Sequence, residues 1–106
     1  MLGVTVEITR WADGHQPGWV ECKLVDAWGQ QWLFIEKVTI IIADDLDEHS
    51  TYPRTGVIEC DVVSKRFSHA KEVVLIDTSS PVYVEATNGQ TQFEVEPKQL
   101  IEFQIA

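Results

Sequence analysis

The densest group of chemically able side chains is Asp44-Asp45-Leu46-Asp47-Glu48-His49, four carboxylates and an imidazole within six residues. Hard divalent cations such as calcium are held by several oxygens at this kind of spacing. The segment nevertheless lacks the central glycine and the distal bidentate glutamate of an EF-hand loop, and zinc would ask for further histidine or cysteine nearby. Its plainer reading is a solvated acidic loop with a short helical turn over 45–49 that Pro53 stops. Asp44, Asp45, Asp47 and His49 are therefore candidate binding residues in a loop spanning 44–55. The loop would dock a basic protein partner or, alternatively, hold a small ligand or divalent metal. No resident metal or cofactor is expected.

Aromatic side chains supply the second candidate chemistry. Trp11, Trp19, Trp28 and Trp32 all lie in the first third of the chain. Alternation puts Trp19 on the face of Glu21 and Lys23, away from Cys22, and Trp28 falls at a hairpin tip before Gly29. Large rings on a polar strand face or a loop recur in partner-binding surfaces. In a small barrel such rings also plug the ends or build a second small core. Trp19 and Trp28 join the acidic loop as candidate contacts.

Nucleophilic catalysis finds no support. There is no Gly-x-Ser-x-Gly elbow, and neither cysteine opens a helix, where its thiol would be activated. His15, His49 and His69 are scattered over three loops. Phosphate loops and dinucleotide fingerprints are absent, and a barrel this small has little room for a deep carboxylate-lined cleft. The chain reads as a non-enzyme.

Eight basic and 17 acidic side chains give a net charge of −9. Nucleic-acid affinity comes largely from neutralised phosphates, so this balance argues against it, and equally against anionic membrane surfaces. A basic partner is electrostatically welcome. No apolar run approaches a membrane span, and the amino terminus lacks a basic region followed by a long apolar stretch, so the expected location is cytoplasmic.

Strands must position these residues. Residues 18–25 read Gly-Trp-Val-Glu-Cys-Lys-Leu-Val and residues 56–63 read Gly-Val-Ile-Glu-Cys-Asp-Val-Val, the same alternating octet twice. Cys22 and Cys60 thus sit at equivalent points, both facing an apolar layer as free thiols. Further strands are expected over 2–11, 31–38, 72–77 and 100–105, with the second octet extended to about 66 and Thr39-Ile40-Ile41-Ile42 as a strand end or bulge. A tight hairpin at Trp28-Gly29 would pair Leu24 with Leu33 and Cys22 with Ile35, at the cost of setting Glu21 against Glu36. Asn88-Gly89 is the type I′ dipeptide; a two-residue loop there pairs Val84 with Phe93, Val82 with Val95 and Ala86 with Thr91.

Pro97-Lys98-Gln99 before a last strand resembles the end of SH3-type small barrels over about ten residues. One domain over 1–106 is expected, all-β, as a small antiparallel barrel of SH3-like or OB-like size with about seven strands, or alternatively a β-sandwich. The function expected from it is a non-catalytic protein-interaction module, with an inhibitor or immunity-type protein as a specific version. Its partner is unknown and basic, and a homo-oligomer is compatible with the pattern.

Overall fold

The computed structural model describes residues 1–14 and 17–104. Its strands are β1 (Leu2–Asp13), β2 (Trp19–Val25), β3 (Gln31–Lys37), β4 (Arg54–Glu59), β5 (Asp61–Ser68), β6 (Lys71–Asp77), β7 (Gln92–Val95) and β8 (Leu100–Glu102). The organising strand is β1. Along one edge it pairs with β4, from Gly3↔Glu59 to Ile8↔Arg54. Along the other it pairs with β8 near its start and with β2 near its end. With β3 beyond β2 this makes a five-stranded antiparallel sheet, and β5-β6-β7 form a second, three-stranded one.

Alternation explains the packing. Val4, Val6 and Ile8 of β1, Val20, Cys22 and Leu24 of β2, and Ile58 of β4 point inward from the first sheet. Val74 and Ile76 of β6 meet them with Phe93 and Val95 of β7, and all belong to one buried cluster. Phe93 makes edge-on ring contacts with Phe34 at 5.6 Å and Trp32 at 5.4 Å, joining the two layers. The all-β antiparallel class is as expected. The two sheets are laddered separately and do not close into a barrel.

Both cysteines are buried, free thiols, as the octet implies. Their strand settings differ. Cys22 lies mid-strand in β2, whereas Cys60 is the corner where the chain leaves β4 for β5 in the other sheet, its N–H donating to Leu2 O at 3.1 Å. The second octet therefore splits between two sheets and is not one strand.

The β2–β3 turn corrects the expected register by one residue. Asp26 N–H bonds Gln30 O at 2.9 Å, leaving a three-residue loop of Ala27, Trp28 and Gly29, with Gly29 at φ +82°. Asp26 fixes it: Oδ1 accepts the N–H groups of Trp28 and Gln30, each at 2.9 Å, and Oδ2 accepts Trp32 Nε1 at 3.0 Å. Leu24 now faces Trp32 and Cys22 faces Phe34. Glu36 moves opposite Val20, which removes the unfavourable Glu21–Glu36 pair.

The Asn88-Gly89 hairpin is a larger correction. Only Gly89 takes positive φ (+89°), so the turn is the three-residue kind, closed by Ala86 N–H to Gln90 O at 2.9 Å. The expected ladder is absent, and β7 pairs instead with β6 through Val74↔Val95 and Ile76↔Phe93. The 82–87 stretch is held otherwise. Thr78, fully buried, donates its hydroxyl to Val84 O at 2.7 Å, and Thr87 N–H donates to Leu33 O at 2.8 Å on the edge of β3. The Thr39–Ile42 run is likewise a turn, with Ile42 bridging to Val57.

Candidate functional site

The start of β2 and the end of β3 form one end of the larger sheet. Trp19 lies there half-buried, opposite Lys37, whose Nζ stands 5.7 Å from the ring centroid. The next rung is Val38 N–H to Gly18 O at 2.8 Å. Trp11, near the end of β1, lies across Gly18 so closely that an added Cβ would come within 2.0 Å of its Cη2. Only glycine admits the ring. Trp11, Val38, Leu46, Asp47 and Glu48 then line an open cleft of about 330 Å³. Trp11 Nε1 is buried and has no acceptor among the described residues.

The acidic loop thus packs against Trp11 at this end of the sheet, whereas Trp19 is on the opposite face from Val20 and lines a separate cleft with Ile35, Lys37 and Thr87. Instead of a short helix it makes one hydrogen-bonded turn, Ser50 N–H to Asp47 O at 3.1 Å. Asp47 Oδ1 accepts His49 N–H at 2.8 Å, and Tyr52 donates its hydroxyl to Asp47 O at 2.8 Å. Asp44 pairs with Arg54 at 3.6 Å and Glu48 with His49 at 3.4 Å, both in exposed settings worth little. The carboxylates face separate partners. Among the described residues no three of His, Cys, Asp and Glu converge as a metal-binding group.

Trp28 sits at the opposite end, on the β2–β3 tip, so Trp19 and Trp28 do not share a surface. Its indole Nε1 donates to Glu94 Oε1 at 3.2 Å. Lys71 Nζ lies 4.7 Å above its ring, Arg66 is 5.9 Å away, and His69 meets it edge-on at 5.3 Å. Arg66 grips Glu94 with Nε at 2.8 Å and Nη2 at 3.0 Å. Lys71 donates to Ala27 O and to Glu96 Oε1, the latter at 3.1 Å. In the ladder, Arg66 is directly opposite Val73, and Lys71 shares its face. Val73 is fully buried on this outer side although it lies outside the main core cluster, so Trp28 and its cations roof it over. Trp28 is 42% exposed, yet its ring already contacts Glu94, Lys71, Arg66 and His69 within the molecule.

Trp11, Lys71, Glu94 and Glu96 were not singled out by spacing. The signal available for two of them was alternation: Lys71 and Glu94 fall on the outer face of β6 and β7, away from Val74 and Val95. Lys71 and Lys98 hold the Glu96 carboxyl below its ordinary range. Ser79 does the same for Asp77 through its hydroxyl and backbone N–H. Burial first, then Glu21 and Glu36, pushes the Cys22 thiol up to about 12. Burial, Asp61 and Glu59 push Cys60 to about 12 as well. Neither thiol offers a thiolate near neutrality. His15 lies outside the described residues. No helix among the described residues is long and apolar enough to cross a membrane. Compared with known proteins, the chain matches no family model, no curated protein and no solved structure.

Proposed function

We infer that the chain is a non-catalytic interaction module that docks a basic protein partner at the end of the larger sheet. The reading rests on the cleft that Trp11 shares with Asp47 and Glu48 of the acidic loop, with half-buried Trp19 following Gly18 of its wall on the other face of β2. An aromatic floor beside carboxylates suits a lysine or arginine side chain, which gains ring contact for its stem and charge pairing for its head. The net charge of −9 steers such a partner inward. Ile35, 39% exposed, extends the apolar surface along β3 beside Trp19.

The test is capture with purified variants. Trp19→Ala together with Glu48→Lys should release a partner that the parent protein retains, while circular dichroism and melting stay unchanged. Trp28 variants that still fold should retain it. Retention by the Trp19→Ala, Glu48→Lys variant would refute this docking end.

A further inference from the structure

The second sheet carries an unpaired edge. β5 bonds only to β6, and all its residues except Ser68 are exposed. Its turn with β6 is the two-residue kind closed by Ser68↔Lys71. Antiparallel pairing alternates the direction of backbone groups, so the N–H and C=O of Lys65 and Phe67 point away from β6 into solvent. Their side chains share one face, opposite Val74 and Glu72, which the larger sheet leaves uncovered here. Phe67 is 76% exposed, and Val62, opposite Ile76, continues the same face beyond the bulge.

Charge selects what this edge takes. Residues 62–71 hold three cations and no acid, in a chain of 17 acidic and eight basic side chains. Despite that surplus of acid, Lys65 has neither an ion pair nor a ring contact among the described residues. The other seven basic side chains each reach a carboxylate or, for Lys37, the Trp19 ring. A second β5 does not supply the missing acid. The bulge between Val62 and Ser64 turns Asp61, opposite Asp77, to the face of Arg66 and away from Lys65. Edge lysines and bulges deter pairing with arbitrary strands. A carboxylate set opposite Lys65 turns that deterrent into a cross-strand pair, so the edge discriminates by charge.

We propose that β5 takes an extended segment of an acidic protein partner as an added antiparallel strand, with a carboxylate opposite Lys65 and an apolar side chain opposite Phe67. In this sense of pairing one partner residue exchanges both backbone bonds with Lys65, and another does so with Phe67. Read from its amino end, the segment carries the apolar residue first and the acid two positions later. A further apolar residue beyond the acid lies toward Val62. This edge is separate from the Trp11 cleft, and the inference is independent of the docking end proposed there.

Titration with the capped peptide Thr-Ile-Thr-Asp-Thr-Val-Thr, and with its counterpart carrying lysine for aspartate, tests it. The readouts are hydrogen exchange and NMR shifts of the Lys65 and Phe67 amides. The aspartate peptide should protect both amides and bind at least tenfold more tightly than the lysine peptide. Lys65→Glu should reverse that preference, and Phe67→Ser should weaken binding at least tenfold, both with unchanged circular dichroism, as expected for exposed positions. Trp19→Ala with Glu48→Lys should leave peptide binding unaltered, which separates this edge from the docking end. No protection at peptide concentrations on the order of 1 mM would overturn the proposal. So would equal binding of the two peptides, or the same amides protected by self-association of the parent chain alone.

Discussion

Trp28 Nε1 and Glu94 Oε1 meet at 3.2 Å across 66 residues of sequence, tying the β2–β3 tip of one sheet to β7 of the other. Beside that bond, Ala27 N–H donates to Glu94 O at 2.8 Å, so the tip also satisfies the outer edge of β7. The pair ties the two sheets together at one end of the molecule, opposite the end that carries Trp19.

The clamp should behave as a coupled unit. In a double-mutant cycle of Trp28→Phe and Glu94→Gln, urea unfolding should show a coupling energy of about 0.5–1 kcal/mol, within the range for neighbours in one polar network. Additive losses would show that the indole and carboxylate act separately.

The β5–β6 turn carries removable strain. His69 and Ala70 adopt φ +52° and +62°, a region in which residues with a Cβ are uncommon. Replacing them as His69→Asn and Ala70→Gly installs the dipeptide this turn prefers and should raise unfolding free energy by about 1 kcal/mol. A neutral or negative result in urea would mean that the His69–Trp28 edge contact, lost in the variant, outweighs the relief.

Gly18 is the position where space alone decides. Gly18→Ala should displace the Trp11 ring, shift its fluorescence and lower unfolding free energy by about 1–3 kcal/mol, as overpacking does. An unchanged emission maximum would contradict the packing of Trp11 over Gly18.

The thiols set an alkaline limit. Their folded values near 12 lie above the ordinary 9.0, so between those limits the unfolded chain releases protons that the folded one keeps. Their contribution is complete below pH 9.0 and is lost as pH rises toward 12. Stability measured by urea should fall over that interval, and Cys22→Ala with Cys60→Ala should flatten the slope. Native labelling by a thiol reagent at neutral pH should be slow and should accelerate in denaturant. For Asp77 and Glu96 the sign reverses: lowered folded values place their contribution above the ordinary carboxylate range, lost on acidification.

Period-two alternation made much of the architecture legible. Val4, Val6 and Ile8, or Val20, Cys22 and Leu24, announce a core face without help from the rest of the chain. Turn chemistry was less decisive. Asn88-Gly89 marks a turn correctly, yet the partner of β7 is β6, through Val74↔Val95 and Ile76↔Phe93, a pairing that no turn signal announces. Likewise Asp26 adds a residue to the β2–β3 loop by capping it, an effect visible only once its side chain is placed. At the candidate site, the acidic run and Trp19 stood out as residue types. The acidic run meets Trp11 instead, across the Gly18–Val38 rung, which no local pattern encodes. Trp28 looked like a loop aromatic because Glu94, Arg66 and Lys71 are distant in sequence.

The division of labour between the two tryptophans is tested most directly by thermal and urea unfolding of Trp19→Ala and Trp28→Ala side by side. Trp28→Ala should lose about 1–3 kcal/mol, since it removes a roof over Val73 together with a hydrogen bond and cation contacts. Trp19→Ala should stay within about 0.5 kcal/mol of the parent, as surface changes do. A Trp19→Ala chain that unfolds while Trp28→Ala stands unchanged would contradict the account.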